Sequence, residues 1–164
     1  MYPLRLPYQK LRSRLKRLLA DGYAAEALVT SMFTAERLLR RTLIQLVISA
    51  GFTNGRAFQV VSRFNGIAAV KDAWSLYDRH GRGLVEVIGN ANWKVLQGAA
   101  KMRNEMVHGS VTYSQKKCKS RAIEVISVID AMKDKLHKAY GYHGWGGLKK
   151  RIVSALHTDP KVTM

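Results

Sequence analysis

Chemistry near neutral pH needs a group that gains and loses a proton there. This chain offers His80, His108, His137, His143 and His157. Most catalytic templates built on other residues are missing: there is one cysteine, Cys118, no HExxH pair, no phosphate-loop glycine pattern and no paired carboxylates at useful spacing. A single cysteine excludes an intramolecular disulfide framework and a cysteine-based zinc site, so neither metal nor cofactor is expected. What remains is metal-independent phosphoryl chemistry, in which histidine moves the proton and arginine holds the charge that develops on phosphorus oxygens.

Two segments put an arginine shortly before a histidine: RNEMVH (Arg103–His108) and RIVSALH (Arg151–His157). With 14 arginines and 5 histidines such a spacing arises about once by chance, so context must choose between them. In an unbroken helix, residues five apart point about 140° from each other. The first segment ends at Gly109, the residue type that caps helices in the left-handed conformation. Ending the helix beside His108 is expected to free its imidazole to turn toward Arg103. A helix C-terminus also favours a protonated histidine, which suits a general acid. The second segment lies near the C-terminus with no helix after it, and is set aside.

The elements that must position these residues are helices. Prolines occur only at positions 3, 7 and 160, so residues 8–159 permit long helices and glycines punctuate them. A basic helix is expected from about Pro7 to Ala20. A long one runs from about Tyr23 to Ala50, with Leu28, Met32, Ala35, Leu39, Leu43 and Leu46 on one stripe. Shorter pieces follow near Gly55–Phe64 and Ala68–Arg79, and Phe58–Phe64 and Leu84–Ile88 also read as possible strands. The motif helix covers about Asn92–Val107, with Trp93, Leu96, Ala99 (or Ala100), Met102 (or Arg103) and Met106 recurring along it. The last long helix spans about Lys116–Tyr140, with Ile123, Ile126, Ile129, Met132 and Leu136 inward, and a short one near Leu148–Leu156 closes the chain. Trp74, Trp93 and Phe58 read as core. The aromatic, glycine-rich run AYGYHGWGG (Ala139–Gly147) reads as a loop folded over the bundle end, with base stacking by Tyr140, Tyr142 and Trp145 as the alternative. The expected fold is a single all-α domain, 1–164: an up-and-down bundle of four to five main helices with short extra ones.

The partner is read from charge. Lys and Arg number 28 against 11 Asp and Glu, a formal net charge of +17, which is a cost to a compact state unless a polyanion uses it. The excess is clustered. Arg5, Lys10, Arg12, Arg14, Lys16 and Arg17 precede any acid. Lys116, Lys117, Lys119 and Arg121 share one short stretch, Lys149–Arg151 is another, and Arg37, Arg40 and Arg41 lie mid-helix beside Glu36. Such clusters track phosphates and release counterions. Their lysine neighbours would also lower the pKa of Cys118. No stretch has signal-peptide or membrane-span character, the most apolar being Thr42–Ala50, so a cytoplasmic protein without a membrane partner is expected.

The segment KMRNEMVHG (Lys101–Gly109), leading into a polar loop and a long helix, resembles the signature of HEPN domains. These are helical bundles in which Arg-x4–6-His, with a polar residue after the arginine, forms a ribonuclease site. The similarity extends over about residues 23–140 through the preceding helix with TAERLLRRTL (Thr34–Leu43). It implies that Arg103 holds the scissile phosphate, and that His108 is base or acid while the 2′-hydroxyl attacks to leave a 2′,3′-cyclic phosphate. Asn104 would orient the histidine or contact phosphate, with Lys101, Lys116, Lys117, Lys119 and Arg121 gripping RNA. Glu36 would be a polar residue facing the motif, or else a salt-bridge partner of Arg37, Arg40 or another arginine. The resemblance also implies a homodimer with a composite site, a role in toxin–antitoxin or anti-phage defence, and an antitoxin or other regulatory partner. Members controlled by a partner nucleotidyltransferase can carry tyrosine two residues after the histidine. Here Ser110 stands there and Tyr113 is out of register, which weakens that form of control. The other readings are a non-catalytic nucleic-acid-binding module and a basic interaction subunit of a larger complex.

Overall fold

The computed structural model describes residues 6–156; Arg5 and His157 lie outside them. The described residues form seven α-helices and no strand: α1 (Tyr8–Ala20), α2 (Ala24–Ser49), α3 (Asn54–Ser62), α4 (Gly66–Tyr77), α5 (Leu84–Ile88), α6 (Asn90–Val107) and α7 (Gln115–Tyr140). The all-α bundle expected from proline exclusion and helical periodicity is the fold observed.

Helix α2 is the axis of the bundle. The expected stripe from Leu28 to Leu46 is buried, and so are Leu38 and Ile44 between its members and Val47 and Ile48 just beyond it. A helix apolar on nearly all sides must be covered on nearly all sides. α2 is packed against α1, α3, α4, α6 and α7, with α7 as its most extensive partner. Each fully buried leucine here contributes roughly 1.5–3 kcal/mol relative to exposure.

α6 and α7 form an antiparallel hairpin beside it. The inward residues of α6 are Trp93, Leu96, Ala99 and Met102, as their spacing predicts, and Met106 at the end of the same stripe is only partly buried. In α7 the expected Ile129, Met132 and Leu136 are inward, but toward its start Cys118, Ala122 and Val125 take the inward positions, while Ile123 is half exposed and Ile126 only partly buried. In α3 the buried residues are Ala57 and Val61, which places Phe58, one step of about 100° away, on the outside at 48% exposure. Phe58 is therefore not core; Trp74 and Trp93 are.

Leu84–Ile88 is helical rather than extended. Glu86 Oε2 accepts the Gly83 N–H at 3.2 Å, and Leu84 and Ile88, four apart, are both buried. The expected helix at Leu148–Leu156 does not form. Its backbone is used elsewhere: Lys149 N–H donates to Gln45 Oε1 at 2.8 Å, Asn54 N–H to the Arg151 carbonyl at 3.0 Å, and Ala155 N–H to the Gly51 carbonyl at 2.9 Å. Ile152 and Val153 stay exposed, so no apolar face is buried to repay helix formation.

The aromatic loop after α7 folds back over the bundle. Arg41 on α2 donates to the carbonyls of Gly144 at 2.6 Å and Gly146 at 3.0 Å. A Cβ at Gly144 would lie 2.7 Å from the Leu38 carbonyl oxygen, so only glycine permits this approach. Tyr142 is buried and Trp145 packs edge-on against Tyr8 of α1.

Candidate functional site

Arg103 lies in the last turns of α6 and faces α2. Its Nη2 is 3.7 Å from Glu36 Oε2, and its guanidinium lies 5.3 Å from the centre of the Phe33 ring. Both charged side chains are mostly buried, at 17% and 16% exposure. The other oxygen of Glu36 accepts from Arg40 Nε at 3.0 Å. One carboxylate thus serves two guanidinium groups, which leaves Arg103 under-used: its Nε is buried without a hydrogen-bond partner. An unmade hydrogen bond of this kind costs about 1–3 kcal/mol. Phe33 had no signal of its own in the sequence, but it stands three residues before Glu36 and so on the same helix face.

His108 behaves differently from expectation. The helical backbone persists through it, with φ −84° and ψ −1°, and the break comes one residue later at Gly109, φ +67°. The five-residue step from Arg103 therefore keeps its divergence of about 140°. His108 is exposed at the end of α6, Asn104 is exposed one turn before it, and among the described residues neither side chain makes a hydrogen bond. The structure brings Arg103 to Glu36 and Phe33, and does not bring it to His108.

The loop from α6 to α7 is tied to Glu105. The Glu105 carbonyl accepts the Ser110 N–H at 3.0 Å, and its carboxylate accepts the Tyr113 hydroxyl. That bond, followed by partial desolvation, raises the Tyr113 pKa, so the phenol stays a donor. Lys101 approaches the same carboxylate at 3.9 Å. Ser114 caps α7 by accepting the Lys117 N–H.

Directly behind that cap stand Lys116, Lys117 and Lys119, all exposed, with no acid in the first turn. Helix N-termini carry partial positive charge, so the cluster adds to the dipole and both repel a cation and attract an anion. Lys117 lies over the Tyr113 ring, 4.6 Å from its centre. Arg121 is less available: it pairs with Glu124 at 2.7 Å and rests over Gly98 of α6. Cys118 points the other way, into the core against the Met106 sulfur at 3.7 Å. Burial, reinforced by Glu26, pushes its thiol up against a smaller opposing effect of Lys117. The lowered pKa expected from its lysine neighbours does not occur, because the lysines extend into water and the thiol does not.

The remaining basic residues divide into two sets. Arg40 donates to the Val61 carbonyl at 3.1 Å and to that of Phe64, closing the end of α3, and Arg41 fastens the aromatic loop. Arg12 pairs with Asp130 at 2.9 Å, and Arg151 Nε donates to the Ile48 carbonyl at 3.1 Å. These arginines hold the fold together. Lys10, Arg14 and Arg17 instead line a shallow groove of about 400 Å³ on the outer face of α1. Arg17 also lies 3.8 Å from Asp21, so Lys10 and Arg14, with the start of α7, are among the places where unpaired positive charge reaches the surface.

Among the described residues no group of three or more His, Cys, Asp or Glu is placed to hold a metal ion, and no helix is long and apolar enough to cross a membrane. No protein-family model matches the chain, and no curated protein or solved structure matches it either.

Proposed function

We propose that this protein is a metal-independent endoribonuclease of the HEPN type, with Arg103 and His108 as its catalytic pair. The observation that carries the reading is Arg103: a guanidinium held at the α2–α6 contact by Glu36 and Phe33, with a buried Nε still unpartnered. The Nε is closed to solvent, so a phosphate oxygen would meet the part of the guanidinium that remains exposed, where charge-assisted bonds from arginine to phosphate are strong and directional. His108, exposed at the end of the same helix, takes the proton from an RNA 2′-hydroxyl or returns one to the leaving 5′-oxygen. The 2′-oxygen attacks phosphorus, the bond to the 5′-oxygen breaks, and a 2′,3′-cyclic phosphate remains. Asn104 orients His108 or contacts the phosphate, while Lys101, Lys116, Lys117 and Lys119, with Arg121 more weakly, supply affinity.

Because Arg103 and His108 diverge on one helix, the working unit is a homodimer in which the two motifs complete one another. A cytoplasmic role in toxin–antitoxin or anti-phage defence, under an antitoxin or other regulatory partner, fits a basic ribonuclease that its own cell must restrain.

A second reading, a non-catalytic RNA-binding module, is favoured by that same divergence. Incubating the purified protein with total RNA in EDTA separates the two. Cleavage that leaves cyclic-phosphate ends and is lost in both His108→Ala and Arg103→Ala supports the nuclease. Salt-sensitive RNA binding without cleavage assigns the binding module, and co-purification of an acidic protein without either points to a basic subunit of a larger complex.

A further inference from the structure

At the other end of the α6–α7 hairpin, roughly 30 Å along α7 from its lysine cluster at 1.5 Å per residue, is a cavity of about 250 Å³ between the end of α2, the end of α7 and the aromatic loop. Gln45, Ser49, His137, His143 and Lys149 line it, Tyr140 and Tyr142 wall it, and no carboxylate or thiolate is among its lining residues. The two imidazoles are 5.7 Å apart between ring centres, and His143 stacks on Tyr142 at an interplanar angle of 11°.

The hydrogen bonds around the cavity determine what it can offer. His143 Nδ1 accepts the Trp145 N–H at 3.3 Å, so the neutral ring carries its proton on Nε2 and is a donor. Gln45 Oε1 is taken by the Lys149 N–H at 2.8 Å, which leaves the Gln45 amide nitrogen as its remaining group, also a donor. The Tyr140 hydroxyl donates to Asp78 at 2.7 Å and accepts from Trp74 at 3.0 Å; the Tyr142 hydroxyl donates to the Gly146 carbonyl at 3.1 Å. Both phenols are thereby committed, and they present ring surface only. What faces the space is one permanent cation, Lys149, with the donors of Gln45 and His143, the His137 ring and the Ser49 hydroxyl, whose proton is given to the Gln45 carbonyl at 2.8 Å. A second fixed cation lies behind the loop, where Arg41 binds the Gly144 and Gly146 carbonyls.

We propose that this cavity is a second anion site, taking a phosphomonoester: a nucleotide or the phosphorylated end of an RNA. A lysine and two histidines with no carboxylate among the lining residues favour an anion, and a lining without carboxylate or thiolate disfavours a metal ion. A phosphoryl group supplies the acceptor oxygens, and the Tyr142–His143 stack gives an attached sugar or base an aromatic wall. The site is separate from Arg103 and His108, and it stands whether or not that pair is catalytic.

The test follows the histidine Cε1–H resonances of the full-length protein. They are titrated with inorganic phosphate, uridine 5′-monophosphate, and an RNA trinucleotide with either a 5′-phosphate or a 5′-hydroxyl. Saturable shifts of the His137 and His143 signals, with His80 unmoved, are expected for every phosphorylated probe and not for the 5′-hydroxyl RNA. Lys149→Ala and His137→Gln, both at exposed side chains, are each expected to weaken binding about tenfold, near one factor of ten per charged donor lost. Lys94→Ala is expected to change nothing. Inorganic phosphate binding as tightly as the nucleotide assigns the site to the phosphoryl group alone, and tighter binding of the RNA assigns it to a chain end. The proposal is overturned if His137 and His143 do not shift, or if Lys149→Ala and Lys94→Ala weaken binding equally.

Discussion

Two arginine–carboxylate pairs in this molecule are built to opposite standards. Asp78 is fully buried at the end of α4, and every donor near it is aimed at it: Arg82 Nη2 at 3.0 Å, the backbone N–H groups of His80 at 2.8 Å and Arg82 at 2.9 Å, and the Tyr140 hydroxyl at 2.7 Å. Burial alone would raise the Asp78 pKa, but these bonds outweigh it and hold the carboxyl well below the usual carboxylate range. Burial, together with its bond to Asp78, pushes Tyr140 up to about 12, so the phenol stays protonated and donates. Glu36 and Arg103 meet at 3.7 Å, share the carboxylate with Arg40, and leave a nitrogen unmatched. A pair whose bonds are all made is a structural fastening. One that meets at 3.7 Å and leaves a buried nitrogen unmatched is loosely made, with hydrogen-bonding capacity the fold does not use.

The comparison breaks most sharply at the motif. His108→Ala is expected to lower RNA cleavage by about 10²–10⁴-fold, the usual contribution of a positioned acid or base, with thermal unfolding unchanged because the side chain is exposed. Cleavage surviving in this variant would remove the histidine from the mechanism.

Asp78→Ala should do the reverse. Removing the carboxylate leaves the half-buried Tyr140 hydroxyl and the backbone N–H groups of His80 and Arg82 without their acceptor, while the Arg82 guanidinium, 37% exposed, can turn to water. The cost is about 1–3 kcal/mol for each group left unsatisfied. For a domain of this size that lowers Tm on the order of 10 °C. A shift under 2 °C would show that the network is worth no more than a surface pair. The same group sets acid sensitivity. Its folded pKa lies below the unfolded value of about 3.9, so its stabilisation is complete above that pH and is lost as pH falls through the folded pKa. Urea titrations below pH 4 should show stability falling in wild type and a flatter profile in Asp78→Asn; equal slopes would assign acid unfolding to other carboxylates.

A smaller effect is expected at the start of α7. Replacing Lys116, Lys117 and Lys119 together by glutamine removes three exposed cations, so the slope of log affinity against log salt for single-stranded RNA should fall by about 2, from roughly 0.7 per phosphate contact. The same exchange at Arg40 and Arg41 would damage folding instead, since those cations are spent on carbonyls. An unchanged slope would move the RNA path to α1.

How much of this was legible follows from where each residue finds its partners. Helices α1, α2, α6 and α7 were readable because proline exclusion, glycine stops and three-and-four spacing are local properties. Gly109 correctly marked the end of α6, but whether His108 was the last helical residue or the first free one turned on a single position, and that position decided where the imidazole points. The fates of Arg40 and Arg41 depend on carbonyls 21 to 105 residues away, which no spacing rule reaches. The residues 148–156 looked helical by composition, yet Gln45, Asn54 and Gly51 had taken their backbone groups. Glu36 was visible as a candidate because it stood among arginines. That its second oxygen would reach Arg103 depended on how α6 crosses α2.

That contact gives the finest test. Glu36→Gln keeps the shape and one acceptor oxygen but removes the charge from a loosely made pair, so stability should fall by about 1 kcal/mol, far less than at Asp78. If Glu36 serves the reaction by holding Arg103, cleavage should fall about tenfold, and the double variant with Arg103→Ala should be no slower than Arg103→Ala alone. Two residues that act through one contact are not additive, and two that act separately are. An additive result would leave Glu36 as a partner of Arg40 only. The 3.7 Å approach would then be a consequence of helix packing, and the unmatched Nε of Arg103 would have to be explained without it.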